Sequence, residues 1–230
     1  MPLDVWSRAS ENRRMSSPQT NYWTSPEKAL EYVQKAAAIP HRVEGEAVLL
    51  EFIPQSARRV LDLGSGAGRL LGLVRSVLPH AEFVALEFSA AMIEHFHGAF
   101  PNQERIQLVT HDMQNPLPAL RSFDVVVSSF AIHHLTHDRK RGVYAEVFDL
   151  LTPGGVFCNL EHVASSSEHL HLQFLEKIGM RPDQEDTENK LLDLQTQLQW
   201  LRDIGFTDVD CHWKWRELAL LVGMKPKSPA

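Results

Sequence analysis

Residues 60–70 read Val60-Leu61-Asp62-Leu63-Gly64-Ser65-Gly66-Ala67-Gly68-Arg69-Leu70. A short apolar run precedes three alternating glycines, and a helical pattern follows them. Glycine allows a tight turn between a strand and a helix, and it lets a ligand lie directly against the backbone because it has no side chain. This order predicts an α/β fold with a ligand site at the end of the strand.

The spacing of these glycines excludes two classes of nucleotide site. A dinucleotide-binding loop has the pattern G-x-G-x-x-G, which would place its third glycine where this chain has Arg69. A nucleoside triphosphate loop needs Lys followed by Ser or Thr after the glycines, and neither comes next here. The loop is therefore predicted to bind a nucleoside ligand that lacks phosphates.

Short apolar runs and helical patterns alternate along most of the chain. The predicted strands are 60–63, 83–86, 106–109, 123–127 and 155–160, with helices near 68–78, 89–99 and 138–151. Such apolar strands, separated by helices, are typical of a parallel sheet that is covered on both faces. Further on, the pattern predicts helices at about 166–179 and 190–203 around the acidic stretch 183–189, then strands at 208–213 and 217–222.

The amino-terminal part has a different pattern. Residues 1–20 are polar and aperiodic, which predicts a flexible arm, with Met15 as an alternative start. A helix is predicted from the cap Ser25-Pro26-Glu27 to the stop at Pro40, and a second helix at about 44–52.

Composition narrows the class of protein. The chain has 230 residues, a formal net charge of −6, 43% hydrophobic and 23% charged residues. We predict a single domain over 21–230, in which about 164–204 form a helical covering segment.

There is no apolar run of the roughly 18 residues that a membrane span needs and no signal-peptide core, so we expect a cytoplasmic protein without a membrane partner. The acidic balance disfavours nucleic-acid binding by bulk electrostatics, and Cys158 and Cys211 are too few for a four-thiolate zinc site.

Two acidic residues follow successive predicted strands. Glu87 closes the second strand, where a carboxylate can accept both hydroxyls of a ribose. Asp112 follows the third strand, where a short acceptor can bind an exocyclic amine such as that of adenine. Because the carboxyl ends of parallel strands meet at one edge of the sheet, we expect both acids beside the glycine loop.

The motifs of the chain come in a recognisable order. They are Asp62-Leu63-Gly64-Ser65-Gly66-Ala67-Gly68, Glu87, Asp112, Phe123-Asp124-Val125-Val126 and Leu151-Thr152-Pro153-Gly154-Gly155. This series, over about 58–163, resembles the class I S-adenosylmethionine-dependent methyltransferases, and the late strands after Ile204-Gly205-Phe206 resemble that family's closing hairpin. The resemblance implies a Rossmann-like, seven-stranded, mainly parallel sheet with a terminal antiparallel hairpin and helices on both faces. The helices at the amino terminus and before strand six are additions.

The same resemblance implies S-adenosyl-L-methionine as cofactor and assigns its contacts. Asp62, Gly64 and Gly66 would hold the amino-acid part, and Glu87 would hold the ribose. Asp112 and the Met113 backbone would hold the adenine, and Ser129 would lie near the sulfonium. Ser65 and Phe88, next to these positions, complete the predicted cofactor-binding set.

Methyl transfer from a sulfonium is an in-line displacement that needs alignment and sometimes a base. The candidate bases are His133 and His134, which follow the fourth strand, and His162, which follows the fifth. A role in capping the crevice competes with catalysis for the first two. We expect no bound metal, because these histidines match no familiar zinc spacing and the reaction requires none.

Aromatic and basic residues are candidates for the acceptor site. Tyr22 and Trp23 precede the first helix and are predicted to act as a lid. Trp213 shares a strand face with Trp215, which suits either an acceptor surface or a core between sheet and helix. Arg181 lies on the covering segment and is the obvious cation there.

Three functions are consistent with these residues. The leading hypothesis is methyl transfer to a small-molecule acceptor, by a monomer or a homodimer. The alternative is an enzyme of transfer-RNA modification, either a methyltransferase or one similar to the carboxy-S-adenosylmethionine synthase family, which should need an extra cation near the transferred group. The third is a non-catalytic binding module, against which the intact glycine loop, Glu87 and Asp112 argue.

Overall fold

The computed structural model describes residues 39–102 and 104–227. The predicted arm with Met15, the helix that starts at Ser25, and the candidate lid residues Tyr22 and Trp23 lie outside the described residues.

The described residues form seven strands and six α-helices. The strands are β1 (Arg59–Leu63), β2 (Glu82–Glu87), β3 (Ile106–Thr110), β4 (Phe123–Ser129), β5 (Leu151–His162), β6 (Thr207–Trp215) and β7 (Leu218–Met224). The helices are α1 (Arg42–Glu51), α2 (Arg69–Val77), α3 (Ala90–Ala99), α4 (His137–Leu150), α5 (Glu168–Lys177) and α6 (Leu194–Ile204). Short 3-10 turns cover Ile132–His134 and Pro182–Gln184. None of the described helices is both long and apolar enough to cross a membrane.

All seven strands join one sheet in the order β3-β2-β1-β4-β5-β7-β6. Strands β1 to β5 are parallel, and β7 runs antiparallel between β5 and β6. The predicted mainly parallel sheet with a terminal antiparallel hairpin is confirmed. The chain order reverses between β1 and β4, so a crevice lies at the carboxyl ends of these strands, where open α/β sheets bind their ligands.

Successive residues of the central strands face two different helix layers. Val60 and Phe83 pack in a core with α1, α2 and α3, whereas Leu61 and Val84 pack in a second core with α4 and α6. Neighbouring side chains of a strand point to opposite faces, so a strand covered on both sides needs apolar residues at every position. This explains the non-alternating apolar runs in the sequence.

Strand β5 begins four residues earlier than predicted. The sequence predicts a strand from Gly155, but Leu151 already pairs with Phe123 of β4. The register then shifts before Val125 pairs with Val156, and Gly154 has a φ of 83°. The Thr-Pro-Gly-Gly motif is thus an irregularity inside the strand rather than a turn before it.

A register shift in β6 determines where its aromatic residues pack. Cys211 pairs with Leu221, but Trp213 pairs with Leu220, so one residue of β6 is extra. Val209 and Cys211 pack in the core under α4 and α6, while Trp213 packs in the core on the opposite face. The bulge therefore moves the tryptophan to the face that α1 covers.

Candidate active site

The glycine loop connects β1 to α2, and its three glycines have different surroundings. Their φ angles are 64° at Gly64, 56° at Gly66 and 84° at Gly68. A Cβ on Gly64 would lie 2.4 Å from the Cβ of Ala131, and one on Gly68 would lie 2.4 Å from Cε2 of Phe100, so these glycines permit close packing. A Cβ on Gly66 would meet nothing within 4 Å. The backbone of Gly66 therefore borders open space at the end of the strand.

Asp62 lies near the end of β1, beneath the loop. Its carboxylate is buried, and Oδ2 accepts a hydrogen bond from Oγ of Ser65 at 2.6 Å. Burial raises the pKa of Asp62 to about 7; the charge of Glu87 adds to this shift, and the bond from Ser65 opposes it. A cation bound at the loop would favour the ionised form of Asp62.

Glu87 ends β2 and is also buried. Its Oε2 accepts the N–H of Gly66, and its Oε1 accepts the N–H groups of Phe88 and Ser89, each at 2.8 Å. Burial raises the pKa of Glu87, and these three hydrogen bonds limit the rise. The acid predicted to hold the ribose is thus bonded to the glycine that borders open space.

Asp112 and Met113 follow β3, at the next strand end. Oδ1 of Asp112 accepts the N–H of Gln114 at 2.9 Å and so shapes the turn. The carbonyl of Met113 accepts a hydrogen bond from Nε of Arg139 at 2.6 Å, and Arg139 is paired with Glu146. These contacts connect the predicted adenine end of the crevice to α4.

A basic residue that the sequence motifs do not mark contacts Ser129. Nη2 of Arg42, in α1, donates to Oγ of Ser129 at 3.3 Å, and the guanidinium carbon lies 5.1 Å from the centre of the Phe130 ring. Glu46 accepts hydrogen bonds from both Arg42 and Arg69. Arg42 comes from outside the motif-bearing segment, so only the folded chain reveals that it stands beside the predicted sulfonium position.

The three candidate bases lie together in what we call the histidine cluster: His133, His134 and His162 with Glu161 and Glu217. The ring centre of His133 is 4.0 Å from that of His134 and 5.6 Å from that of His162. Nδ1 of His133 lies 2.7 Å from Oε1 of Glu161, and Nε2 of His162 lies 2.9 Å from Oε2 of Glu217. The sequence predicted these histidines as candidates but not the pairing of His133 and His162 with buried carboxylates. Within residues 39–102 and 104–227, no three His, Cys, Asp or Glu side chains are arranged to hold a metal ion.

The protonation of the histidine cluster follows from its burial. Burial lowers the pKa of His133 well below its usual value and that of His134 to about 2. Burial also raises the pKa of Glu161 to about 7, against the influence of the His162 N–H and the charge of Lys140. Both histidines are therefore neutral at pH 7, the state in which an imidazole can accept a proton.

The acidic stretch of the covering segment lies over the histidine cluster. Oδ2 of Asp186 is 4.0 Å from Nδ1 of His134. The N–H of Lys190 donates to the carbonyl of His133 at 3.0 Å, and its Nζ donates to the carbonyl of His134 at 3.2 Å. Asp186 of the acidic stretch and Lys190 directly after it thus lie against the turn that carries two candidate bases.

Two other residues predicted for the acceptor site do not belong to this cluster. Arg181 is 69% exposed, and its Nε lies 2.9 Å from Oδ1 of Asp183. Trp213 is half-buried beneath α1, where a Cβ on Gly45 would come within 2.8 Å of its ring. Arg181 thus lies at the surface, and Trp213 lies in the apolar layer between sheet and helix.

Comparison with known proteins agrees with this geometry. A family model described as a methyltransferase domain matches residues 60–155. The carboxy-S-adenosyl-L-methionine synthase of Helicobacter hepaticus is 24% identical over 211 residues, which cover 82% of this chain and 87% of that protein. These similarities support a class I S-adenosylmethionine-dependent methyltransferase.

Solved structures have the same fold as this methyltransferase. An O-methyltransferase family protein from Burkholderia thailandensis matches with a TM-score of 0.70 and 16% identity, covering 90% of this chain and 62% of that one. Human N-acetylserotonin methyltransferase in complex with S-adenosylmethionine matches with a TM-score of 0.67 and 18% identity, covering 92% and 61%. The chain thus spans about three fifths of the length of these two proteins.

The strand-end residues of this methyltransferase fit its cofactor, S-adenosylmethionine. Gly66 leaves room for a ligand against the backbone. The carboxylates of Asp62 and Glu87 suit the cationic and hydroxyl groups of that molecule, and the loop offers no lysine for a phosphate. The methyltransferase domain and the similarity to known methyltransferases support an enzyme rather than the non-catalytic binding module.

Proposed function

We propose that this methyltransferase acts on a small-molecule acceptor, enclosed between the cofactor crevice and the covering segment of residues 164–204. One observation carries the proposal: the covering segment is bonded to the site. The N–H of Lys190 donates to the carbonyl of His133 at 3.0 Å, and its Nζ donates to the carbonyl of His134 at 3.2 Å. A segment held down in this way suits a small acceptor better than a polymer.

In this proposal, residues at the carboxyl ends of β1 to β4 bind the cofactor. S-adenosylmethionine supplies, when bound, a methyl group activated by its positively charged sulfur. Asp62, Gly64, Ser65 and Gly66 are proposed to hold its amino-acid part, and Glu87 and Phe88 its ribose. Asp112 and Met113 are proposed to hold the adenine, and Ser129 to lie beside the sulfur. Arg181 has no part in this arrangement because its guanidinium is exposed and paired with Asp183.

His133 is the proposed base. In the proposed tautomer, Nδ1–H of His133 donates to Oε1 of Glu161, which leaves Nε2 as the atom that accepts a proton. As the acceptor attacks, its bond to hydrogen breaks and the proton passes to Nε2. The carboxylate of Glu161 then offsets the positive charge on the imidazole. His134 and His162 pack against the ring and help to keep water out.

Charge also favours a small acceptor over a nucleic acid. The covering segment has four acidic residues close together, Asp183, Glu185, Asp186 and Glu188, and the chain has a net charge of −6. A polyanion would be repelled at this surface because a nucleic acid carries one phosphate charge per nucleotide. The acceptor is therefore expected to be neutral or cationic.

A labelling experiment tests the proposal. The enzyme is incubated with methyl-labelled S-adenosylmethionine, in one reaction with a metabolite extract and in another with unmodified transfer RNA. Label is expected in a small-molecule product, lost in His133→Ala and kept in His169→Ala, which removes an exposed histidine of α5. Label confined to the RNA would contradict the proposed acceptor class.

Two observations favour a second candidate function, the synthesis of a carboxymethyl cofactor. The similarity to the Helicobacter hepaticus enzyme extends over 87% of that protein. A carboxymethyl sulfonium needs a cation nearby, and Arg42 donates to Ser129, the residue proposed to stand beside the sulfur. Arg42 meets this need better than Arg181.

Mass spectrometry of the cofactor that co-purifies with the enzyme separates the two functions. A carboxymethyl group on the sulfur, retained by the wild type and lost in Arg42→Met, would support the second function. A plain methyl or demethylated cofactor in both proteins supports methyl transfer.

A further inference from the structure

Lys140, in the first turns of α4, is a buried cation next to the site. It is 1% exposed, and its Nζ donates three hydrogen bonds to backbone carbonyls: to His133 at 2.9 Å, Leu135 at 2.6 Å and Lys190 at 2.5 Å. An ammonium group has three donors, so all three are used. A buried ammonium needs such bonds, because it has lost its water.

The three carbonyls belong to two separate parts of the site. Those of His133 and Leu135 lie on the turn after β4, which carries the proposed base. That of Lys190 lies on the covering segment, and the N–H of the same residue donates back to the carbonyl of His133. The ammonium group of Lys140 therefore joins the base-bearing turn to the segment above it.

We infer that Lys140 is a positioning residue that couples closure of the covering segment to the placement of His133. When the covering segment is in place, its Lys190 carbonyl completes the binding of the ammonium, and the same cation holds the carbonyl of the proposed base. If the segment leaves, Nζ loses one of its three acceptors in a buried position, and the turn with His133 loosens. The inference rests on the proposed function of His133 as base.

A second lysine provides a matched control for this role. Nζ of Lys225 also donates to three carbonyls, those of Phe148, Asp149 and Leu151, at 2.7, 3.3 and 2.8 Å. These carbonyls lie at the carboxyl end of α4, about 20 Å from its amino end for a helix of this length. Lys225→Met removes the same kind of contact from the same helix without touching the site.

The test compares Lys140→Met with Lys225→Met by amide hydrogen exchange and by histidine NMR. In Lys140→Met, the amides of residues 186–192 should exchange about tenfold faster or more, while binding of S-adenosylhomocysteine changes by less than about threefold. The ring signals of His133 should move and titrate at higher pH, because a nearby positive charge is gone. In Lys225→Met, residues 186–192 and His133 should behave as in the wild type. Equal effects in both variants, or none at 186–192 in Lys140→Met, would overturn the inference.

The wild type supplies a measurement that needs no variant, should Lys140→Met fail to fold. In native-state exchange with increasing urea, the amides of Leu135 and Lys190 should open with the same free energy, because one cation holds both segments. Opening of Lys190 while Leu135 stays protected would contradict the coupling. Failure of the wild type to bind S-adenosylhomocysteine would instead contradict the proposed function. The exchange data would still test whether Lys140 couples the two segments.

Discussion

Nδ1 of His133 lies 2.7 Å from Oε1 of Glu161, and both side chains are buried. The same oxygen accepts the N–H of His162 at 2.8 Å, so the carboxylate is held from two sides. In the described part of the chain, the other oxygen, Oε2, has no hydrogen-bond partner. A buried carboxylate with one oxygen that accepts no hydrogen bond is easily protonated. This agrees with the pKa of Glu161, which burial raises to about 7.

Glu161→Gln should remove a pH dependence. In the wild type, the ionised carboxylate stabilises the protonated His133, so kcat/KM for the acceptor should rise as the pH rises through about 7, the raised pKa of Glu161. Glutamine keeps the hydrogen bonds but cannot ionise, so the variant should lose this rise and be slower by about a hundredfold. Glu217→Gln, which changes the carboxylate beside His162, should keep the rise. A rise near pH 7 that survives in Glu161→Gln would contradict the role of this pair.

Gly66→Ala should weaken cofactor binding without unfolding the enzyme. Gly66 has a φ of 56° and open space at its Cβ position, and Gly179, near the end of α5, has a φ of 70° and open space likewise. Alanine at either position should cost about 1 kcal/mol of stability because of the left-handed backbone. Titration calorimetry should show that only Gly66→Ala weakens S-adenosylhomocysteine binding, by about tenfold or more. Equal affinity in both variants would mean that the loop does not line the cofactor site.

Asp62→Asn should stabilise the cofactor-free protein at alkaline pH. Burial raises the pKa of Asp62 from 3.8 to about 7, so the folded state holds this proton more tightly than the unfolded chain. Stability should therefore fall as the pH rises from about 4 to about 7 and stay reduced above it. The variant should match the wild type near pH 4, exceed its Tm at pH 8 by about 3 °C or more, and bind the cofactor more weakly. A lower Tm than the wild type at pH 8 would contradict this reading of the carboxylate.

His171→Gln should weaken the attachment of α5 in a pH-dependent way. Nδ1 of His171 lies 3.0 Å from Oε1 of Glu217, and Nε2 lies 3.1 Å from Oε2 of Glu185. Burial works to lower the pKa of His171, but the two carboxylates together raise it above its usual 6.5. The ion pairs thus contribute fully below pH 6.5, and their contribution is lost as the pH rises through the raised pKa.

Urea unfolding of this variant at pH 6 and pH 9 measures the effect. The loss of unfolding free energy should be larger at pH 6 and stay within about 1 kcal/mol, because the imidazole is partly exposed to solvent. An equal loss at both pH values would mean that the charge of His171 contributes nothing.

The sequence predicted the elements whose signals are local. The glycine loop, the apolar runs and the acids at the strand ends each lie within a few residues, and the topology of such sheets then brings Asp62, Glu87 and Asp112 to one edge. The difference between the predicted and the observed start of β5 has a local cause as well. Strand β5 begins at Leu151 because that residue pairs with Phe123 across a register shift.

The residues that the sequence did not mark are held by contacts distant in the chain. Lys140 binds the carbonyl of Lys190, fifty positions away, and Arg42 binds Ser129, eighty-seven positions away. No periodicity or spacing records such pairs. Arg181, by contrast, stood out in the sequence as the obvious cation on the covering segment, but a neighbouring carboxylate, Asp183, is paired with it.

A crystal structure grown with S-adenosylhomocysteine tests the whole account most directly. The adenosine should lie across the carboxyl ends of β1 to β3, with its ribose hydroxyls on Glu87, its adenine beside Asp112 and Met113, and its sulfur facing Ser129. We expect the ligand in that position in the wild type. We expect no ligand there in crystals of Gly66→Ala grown under the same conditions. A crevice that stays vacant at millimolar ligand, or a ligand bound elsewhere on the chain, would contradict it.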